Sequence, residues 1–251
     1  MHIEDFFKRL SWGVLQNLKV GLDGSGGIQN KDYPRVFLYT NEALLELFTL
    51  FNLKQNTMKI LMLPNKDFYL ISVDNTFANY YNKYGSYPEK PLTPSSPFIF
   101  DNIENPYRDD LIKVLSVYTD SGENLPIDDL NAPESIFIPR LNTLQVPEHF
   151  KHKVLSIEYQ AKHPRLTLIN TGDDEHFSVD GSLEIPEVLL EALECLVAHK
   201  VFSHMGGVDN FHRANTMYSL YQASVSKLLS VDMVNPSQSF TSSLFEERGW
   251  I

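Results

Sequence analysis

Residues 186–231 have the sequence PEVLLEALECLVAHKVFSHMGGVDNFHRANTMYSLYQASVSKLLSV. Apolar residues recur in it every three or four positions, as they do along one face of an α-helix. Two glycines at 206–207 interrupt the pattern, which resumes after Asp209, a predicted N-cap, and continues to about Val231. Two helices joined by so short a link pack side by side in opposite directions. We therefore predict an antiparallel helical hairpin within residues 183–234.

Helical spacing also marks the N-terminal segment, residues 1–57. Its apolar residues form one face from Ile3 to Val20 and again from Tyr33 to Phe51, which predicts two helices. The stretch between them contains Asp23-Gly-Ser-Gly-Gly, whose glycines are also typical of phosphate-binding loops. No strand is predicted before it and no Gly-Lys-Ser/Thr follows it. We therefore interpret this stretch as a turn between helices.

Residues 58–182 have a different pattern, in which short apolar runs separated by turn residues predict β-strands. The predicted strands are Lys59–Leu63, Phe68–Val73, Leu111–Tyr118, Ser135–Ile138, Val154–Ala161 and Leu166–Ile169. Apolar and polar residues alternate in Val154–Ala161, so one face of its sheet is expected to contact water. Asp120-Ser-Gly-Glu is a predicted turn, and Lys162-His-Pro-Arg is predicted to form a hairpin with the last strand. The proline-rich residues 84–97 are predicted to form an extended loop.

Helical segments thus flank a β-rich middle, and the predicted fold class is α+β. We expect the N-terminal segment and the hairpin to form one helical core, with residues 58–182 inserted between them. Residues 235–251 have no period and are predicted to form an extended C-terminal docking tail. Large apolar side chains are costly to leave in water, so we expect the tail to bind a neighbouring molecule. The predicted partner-binding residues are Phe240, Leu244, Phe245, Arg248, Trp250 and Ile251.

The charge of the chain limits its partners. Its formal net charge is −11, and residues 1–60 are nearly neutral, so the acidic excess lies in the remainder. Specific nucleic-acid binding is not expected, because affinity for phosphates needs clustered Lys and Arg. An acidic surface could still line a passage for double-stranded DNA, because it would repel the phosphates. No apolar run approaches about 20 residues and the first residues lack a secretory pattern, so we expect a soluble protein without a membrane contact.

The histidines and the cysteine are expected to be structural. In the hairpin, His199, His204 and His212 lack the four-residue spacing of a helical zinc site, and we expect them to be solvated or to cap helices. His149 and His152 are interpreted in the same way. A reducing compartment is expected because the chain has a single cysteine, Cys195. It falls in an apolar helical run and is expected to be a buried core residue instead of a reactive thiol.

Other residue groups leave alternatives open. Asp173-Asp174-Glu175 could supply oxygen ligands to a divalent cation, but it lacks the spaced ligands of a calcium loop and is interpreted as a solvated turn. Four tyrosines could line a sugar or peptide groove, although we expect them to pack on their own loop. These are Tyr80, Tyr81, Tyr84 and Tyr87. No Gly-x-Ser-x-Gly motif is present, and paired carboxylates for glycoside hydrolysis converge only in space. We predict no catalytic residues, no cofactor and no metal.

Four stretches of the chain resemble the head-to-tail adaptor, or neck, proteins of tailed bacteriophages, which form a ring beneath the portal. They are Thr40–Lys54, Leu141–Pro147 with Ile157–His163, Glu184–Leu193 and Phe245–Ile251. Together they span nearly the whole chain in the expected order, and none of them is catalytic.

The resemblance implies a non-enzymatic virion protein that is assembled in the host cytoplasm and occupies the neck. Its implied partners are the portal protein, neighbouring copies of itself in a twelve-fold ring, a tail or nozzle protein, and double-stranded DNA that passes without specific binding. It also implies that the docking tail binds a neighbouring subunit or the portal. A ring repeats one heterologous interface, which an inserted aromatic arm would serve well.

Two other interpretations stay open. The β-rich middle also suits a stopper, ring or tail-tube protein lower in the neck. A glycan hydrolase carried on the virion is the third hypothesis, since a catalytic carboxylate pair leaves no sequence motif.

Overall fold

The structure is a computed structural model that describes residues 1–16, 28, 32–88, 92–101, 106–148, 150–170 and 177–231. It contains both helices and sheets, which confirms the predicted α+β class. The chain divides into two compact units, one formed by residues 1–53 and 166–251 and the other by residues 54–165. The second unit is shorter than the predicted insertion at 58–182, because the strands after residue 166 belong to the first unit.

Five α-helices lie in the described residues, and four of them belong to the first unit. They are α1 (Ile3–Trp12), α2 (Tyr33–Leu50), α3 (Phe77–Tyr84), α4 (Leu190–His204) and α5 (Val208–Val231), of which α3 is in the second unit. The helices α4 and α5 pack against each other, and α4 also packs against α2. An ion pair between Arg9 and Glu194, at 2.7 Å, joins α1 to α4. The first unit is therefore organised around α4, nine of whose side chains are buried.

The predicted helix from Ile3 to Val20 is wrong at its C-terminal end, because α1 ends at Trp12 and residues 13–16 form turns. Gly13 leaves the helical conformation while its N–H still donates to the carbonyl oxygen of Arg9 at 2.8 Å. A Cβ atom at this position would lie 2.8 Å from the same oxygen, so only glycine fits without a shift. Apolar residues continue to recur with helical spacing after Gly13, so the spacing alone does not show where α1 ends.

The boundary between α4 and α5 follows the predicted glycines. Gly206 and Gly207 both have positive φ, at 67° and 87°, a conformation that ends α4 at little steric cost. The prediction of Asp209 as the N-cap is wrong, because α5 already begins at Val208 and Asp209 lies in its first turn. An acidic side chain there still interacts favourably with the positive end of the helix dipole. The predicted end of the second helix at Val231 agrees with the structure.

Ten β-strands form three antiparallel sheets in the described residues. They are β1 (Gln55–Leu61), β2 (Phe68–Leu70), β3 (Ile99–Phe100), β4 (Leu111–Thr119), β5 (Asn124–Leu125), β6 (Phe137–Arg140), β7 (Thr143–Gln145), β8 (Val154–Ala161), β9 (Thr167–Asn170) and β10 (Phe177–Asp180). The second unit has a five-stranded sheet of order β3-β1-β8-β4-β5 and a three-stranded sheet of order β2-β7-β6. Buried side chains of both sheets form one hydrophobic cluster, which is the core of this unit.

The central strand β8 has the bounds that the sequence predicted, and burial alternates as predicted from Val154 to Tyr159. The prediction is wrong at Gln160, which is buried like its neighbours Tyr159 and Ala161. Leu155, Ile157, Tyr159 and Ala161 are all buried. The predicted hairpin across Lys162–Arg165 is wrong, because β8 pairs with β1 on one side and β4 on the other, which leaves no edge for β9. Instead, β9 pairs with β10 in a two-stranded sheet. The predicted turn at 120–123 does connect an antiparallel pair, β4 and β5.

Candidate functional site

The predicted docking-tail residues lie outside the described part of the chain, which ends at Val231. They are Phe240, Leu244, Phe245, Arg248, Trp250 and Ile251. The glycine-rich turn at 23–27, His149 and the acidic cluster at 173–175 lie outside it as well. Their roles stay predictions.

Two of the three hairpin histidines make structural contacts. His199 Nδ1 bonds the carbonyl oxygen of Ala214 at 3.0 Å and so links α4 to α5. His204 Nδ1 bonds a carbonyl oxygen one turn before it, and its ring stacks on Tyr39 with centroids 5.1 Å apart. His212 is exposed on α5. Within the described ranges, no group of three or more His, Cys, Asp or Glu residues could hold a metal ion.

Cys195 and His152 also occupy structural positions. Cys195 is buried, as predicted, and burial raises the pKa of its thiol to about 11, with smaller contributions from the charges of Glu191 and Glu194. The thiol is therefore neutral at ordinary pH and a poor nucleophile. In the second unit, His152 Nδ1 lies 3.1 Å from Asp120 Oδ1, so this histidine contacts the turn after β4.

The four tyrosines named above pack on α3 and the loop that follows it. Tyr80 contacts Tyr84 with ring centroids 4.6 Å apart, and Tyr81 contacts Tyr87 at 5.0 Å. The ring of Tyr87 also lies 6.5 Å from that of Phe77. Local packing explains this cluster, although Tyr87 is 55% exposed and borders the cleft described next.

The second unit contains a cleft of about 1090 Å³ beside the five-stranded sheet. Its walls come from β1, β3, the loop before β4 and the end of β8 with the residues after it. Since β4 and β8 are antiparallel, the start of β4 lies beside the end of β8, which brings 108–110 close to 162–165. This site was not predicted from the sequence. The sequence indicates it only through the charged residues of segments 108–110 and 162–165, and the second segment is the one predicted to be a hairpin turn.

Asp110 organises the polar floor of the cleft. Its Oδ1 accepts a hydrogen bond from the Tyr159 hydroxyl at 3.1 Å, and its Oδ2 accepts one from Asn56 Nδ2 at 3.0 Å. Burial, followed by the charge of Asp110, raises the pKa of Tyr159 far above its usual value. Burial also raises the pKa of Tyr107, with contributions from Asp109 and Asp110. Both tyrosines are therefore neutral donors and not candidate bases.

The other two carboxylates of the cleft hold the backbone in place. Asp101 accepts hydrogen bonds from the N–H groups of Ala78 at 2.9 Å and Tyr107 at 3.1 Å, one on each oxygen. Asp109 Oδ1 accepts one from the N–H of Val73 at 3.0 Å. Both carboxylates thus stabilise loops and the start of α3.

The lysines and arginines of the cleft are Lys54, Arg108, Lys162 and Arg165, and His163 also lines it. Of these, Arg108 and Arg165 are exposed, whereas His163 is buried. Lys162 Nζ donates to the carbonyl oxygen of Asp109 at 3.1 Å. Because the carboxylates already accept hydrogen bonds from the protein while two guanidinium groups reach solvent, the cleft favours an anionic ligand.

A second candidate surface lies on α5 in the first unit. Only four side chains of this 24-residue helix are buried, namely Ala214, Tyr221, Val225 and Leu228. Exposed apolar side chains lie on both sides of that stripe. Phe211, Tyr218 and Leu229 follow one line, because steps of seven and eleven residues return to nearly the same helix face, and Leu220 and Val231 follow another. The helix therefore presents more apolar surface than the described part of its unit covers.

Comparison with protein-family models finds no match to this chain, and comparison with curated proteins finds none either. Among the helices that the structure describes, none has the length and apolar content needed to cross a bilayer.

Proposed function

We propose that this chain is a structural virion protein, the head-to-tail adaptor of a tailed bacteriophage. In this role it forms a ring between the portal and the tail and contributes to the conduit for DNA. The proposal combines the sequence resemblance described above with the surface properties of the first unit. Its place is the virion neck, and it acts by assembly and not by catalysis.

The exposed apolar face of α5 is the observation that carries this proposal. Phe211 is 61% exposed and Leu220 is 50% exposed on this 24-residue helix. In a closed ring, each subunit contacts its neighbours through two different surfaces, so an apolar helix face on one copy would be buried by another. A neighbouring copy is accordingly the occupant that we assign to this face.

The remaining features of the hypothesis follow from charge and from the helical hairpin. We infer that α4 and α5 supply the rigid base for contacts with the portal, and that the docking tail after residue 234 extends from it. The net charge of −11 favours an inner wall that repels DNA phosphates, so DNA would pass without being arrested.

The test measures the oligomeric state of the purified chain with and without portal protein by native mass spectrometry. We expect rings with portal, and we expect the double variant Phe211→Asp/Leu229→Asp to stay folded by circular dichroism but to form no rings. Leu130→Asp is the matched control, because Leu130 is 88% exposed in the second unit and should be replaceable without effect. Deletion of residues 240–251 should likewise leave a folded monomer.

Rings that form equally well with the α5 double variant and with the deletion would contradict the adaptor hypothesis. The antiparallel sheet of the second unit supports the alternative of a stopper or tail-tube component lower in the neck. Locating the subunit in a map of the virion distinguishes these two positions.

A further inference from the structure

Two exposed aromatic rings line the cleft of the second unit. Tyr87 is 55% exposed and Phe100 is 50% exposed. Both lie against the buried ring of Phe77, from which Phe100 is 4.6 Å away in a stacked arrangement and Tyr87 is 6.5 Å away. Tyr81 contacts Tyr87 at 5.0 Å. Aromatic neighbours therefore hold both rings in place, while about half of each ring still contacts solvent.

The surroundings of these rings are polar. Thr57, Arg108, Asp109 and Arg165 are the other exposed polar residues that line the cleft. A protein anchor is usually an apolar side chain in a dry, well-packed pocket at the centre of an interface. A sugar has the opposite requirement, because one face of its ring presents C–H groups and its hydroxyl groups project to the sides. The combination of exposed rings and polar neighbours thus favours a sugar over a peptide.

Asp110 provides a fixed acceptor for sugar hydroxyl groups. Its two oxygens accept hydrogen bonds from Tyr159 at 3.1 Å and from Asn56 at 3.0 Å, so the carboxylate is already oriented before a ligand binds. A carboxylate offers about four acceptor positions, and it can therefore accept from a ligand as well. A group that needs no reorientation costs less free energy on binding.

The charge of the cleft indicates which kind of sugar it fits. Four lysines and arginines line it together with three aspartates, and each aspartate accepts hydrogen bonds from the protein. Arg108 and Arg165 are exposed. A guanidinium group binds a carboxylate through two parallel hydrogen bonds. The cleft thus offers stacking surfaces for a sugar ring and donors for a carboxylate.

We propose that the cleft binds a carboxylated oligosaccharide. Sugar rings pack on Tyr87 and Phe100, and carboxylates of the ligand pair with Arg108 and Arg165. This binding site goes beyond the proposed structural role and does not depend on the position of the chain in a virion.

The test measures binding to the full-length chain by isothermal titration calorimetry. The probes are tetrasaccharides of glucuronic, galacturonic, mannuronic and sialic acid, each paired with an uncharged tetrasaccharide of the same length. Short probes are used because the net charge of −11 repels a long polyanion. We expect saturable binding of at least one acidic tetrasaccharide, about tenfold or more tighter than that of its uncharged counterpart. Acetate, which supplies a carboxylate without a sugar ring, should not compete.

Substitution of the rings tests the stacking contact. Tyr87→Ala should weaken binding by about tenfold or more, whereas Tyr87→Phe keeps the ring and should bind nearly as well as the wild type. Tyr84→Ala is the matched control, because Tyr84 is 57% exposed on the same helix-and-loop segment but does not line the cleft. Circular dichroism and urea unfolding confirm that each variant is folded.

Substitution of the arginines tests the selectivity for charge. In Arg108→Gln/Arg165→Gln, the acidic tetrasaccharide should bind no more tightly than its uncharged counterpart, whose own affinity should change little. Arg140→Gln is the control, since Arg140 is an exposed arginine of the same unit outside the cleft.

The inference is overturned if no acidic tetrasaccharide of the panel binds saturably, or if Tyr87→Ala and Tyr84→Ala bind equally well. Equal affinity for acidic and uncharged sugars overturns it too, and so does full competition by acetate, which would indicate an adventitious anion only. A random peptide library that yields Tyr87-dependent ligands while the sugars fail would assign the cleft to a protein partner instead. Ring formation with portal is measured separately, so neither result decides the other.

Discussion

Tyr221 illustrates how one side chain joins two helices. It lies on the buried stripe of α5, and its hydroxyl donates a hydrogen bond to Glu46 Oε1 on α2 at 2.8 Å. Burial first, and then the interaction with Glu46, raises the pKa of this tyrosine far above its usual value. The neutral form is therefore the one that the folded state favours. Local spacing could not predict this partner, because Glu46 is 175 positions away in the chain.

We expect Tyr221→Phe to lower the free energy of unfolding by about 1 kcal/mol, because a hydrogen bond to a partly buried carboxylate is lost. Tyr218→Phe is the matched control, since Tyr218 lies one turn earlier and is 39% exposed. Urea unfolding measures both changes. Equal losses in the two variants would show that the bond to Glu46 contributes nothing.

The raised pKa of Tyr221 also predicts a pH dependence. A tyrosine whose folded pKa exceeds the unfolded value stabilises the protein fully below about pH 10, and this contribution is lost as the pH rises towards the folded pKa. Unfolding free energies of the wild type should therefore fall above about pH 10, and the difference between wild type and Tyr221→Phe should shrink there. A difference that stays constant up to about pH 11 would contradict the assignment.

The helix α3 was not predicted from the sequence. It has eight residues, too few for the apolar period to be visible, and its position depends on capping. Thr76 Oγ1 accepts a hydrogen bond from the N–H of Asn79 at 3.1 Å and donates one to the carbonyl oxygen of Val73 at 3.0 Å. Asp101, from the other end of a long loop, accepts from the N–H of Ala78. Thr76 directly precedes the helix in the sequence, whereas Asp101 is 23 positions from Ala78. Only the cap by Thr76 could therefore have been predicted from local sequence.

We expect Thr76→Ala to cost about 1 to 2 kcal/mol, because an N-cap that is also buried loses both of its bonds. Ser72→Ala is the control, since Ser72 Oγ makes only a longer contact, 3.4 Å to the N–H of Asp74 at an exposed site. Chemical unfolding of the two variants, followed by circular dichroism, gives the comparison. The capping role of Thr76 is wrong if the control loses as much stability.

The second unit is continuous in sequence and its ends meet. Gln55 pairs with Gln160 at the start of β1 and the end of β8, and the N–H of Ala161 donates to the carbonyl oxygen of Lys54 at 2.9 Å. It also has its own hydrophobic cluster, which contains residues of both sheets. These are the properties of a domain that can fold when it is separated from the rest of the chain.

We therefore expect residues 54–165, expressed alone, to fold with a β-rich circular dichroism spectrum and one cooperative urea transition. Ile157→Asp provides the negative control, because this side chain is fully buried at the centre of β8 and a charge there should abolish folding. A broad, non-cooperative transition for the unmodified fragment would show that the unit depends on the remainder of the chain.

Local sequence pattern was enough to predict the class of the fold, the bounds of β8, the end of α5 and the buried position of Cys195. Each of these depends on which face of an element is apolar, and the period of the side chains records that property locally. The folded chain was needed to show that β8 lies between β1 and β4, that β9 pairs with β10, and that Arg108 and Arg165 border one cleft. The order of the strands, and the meeting of distant segments at one cleft, depend on contacts between residues far apart in the chain. The local spacing of side chains contains no information about those contacts.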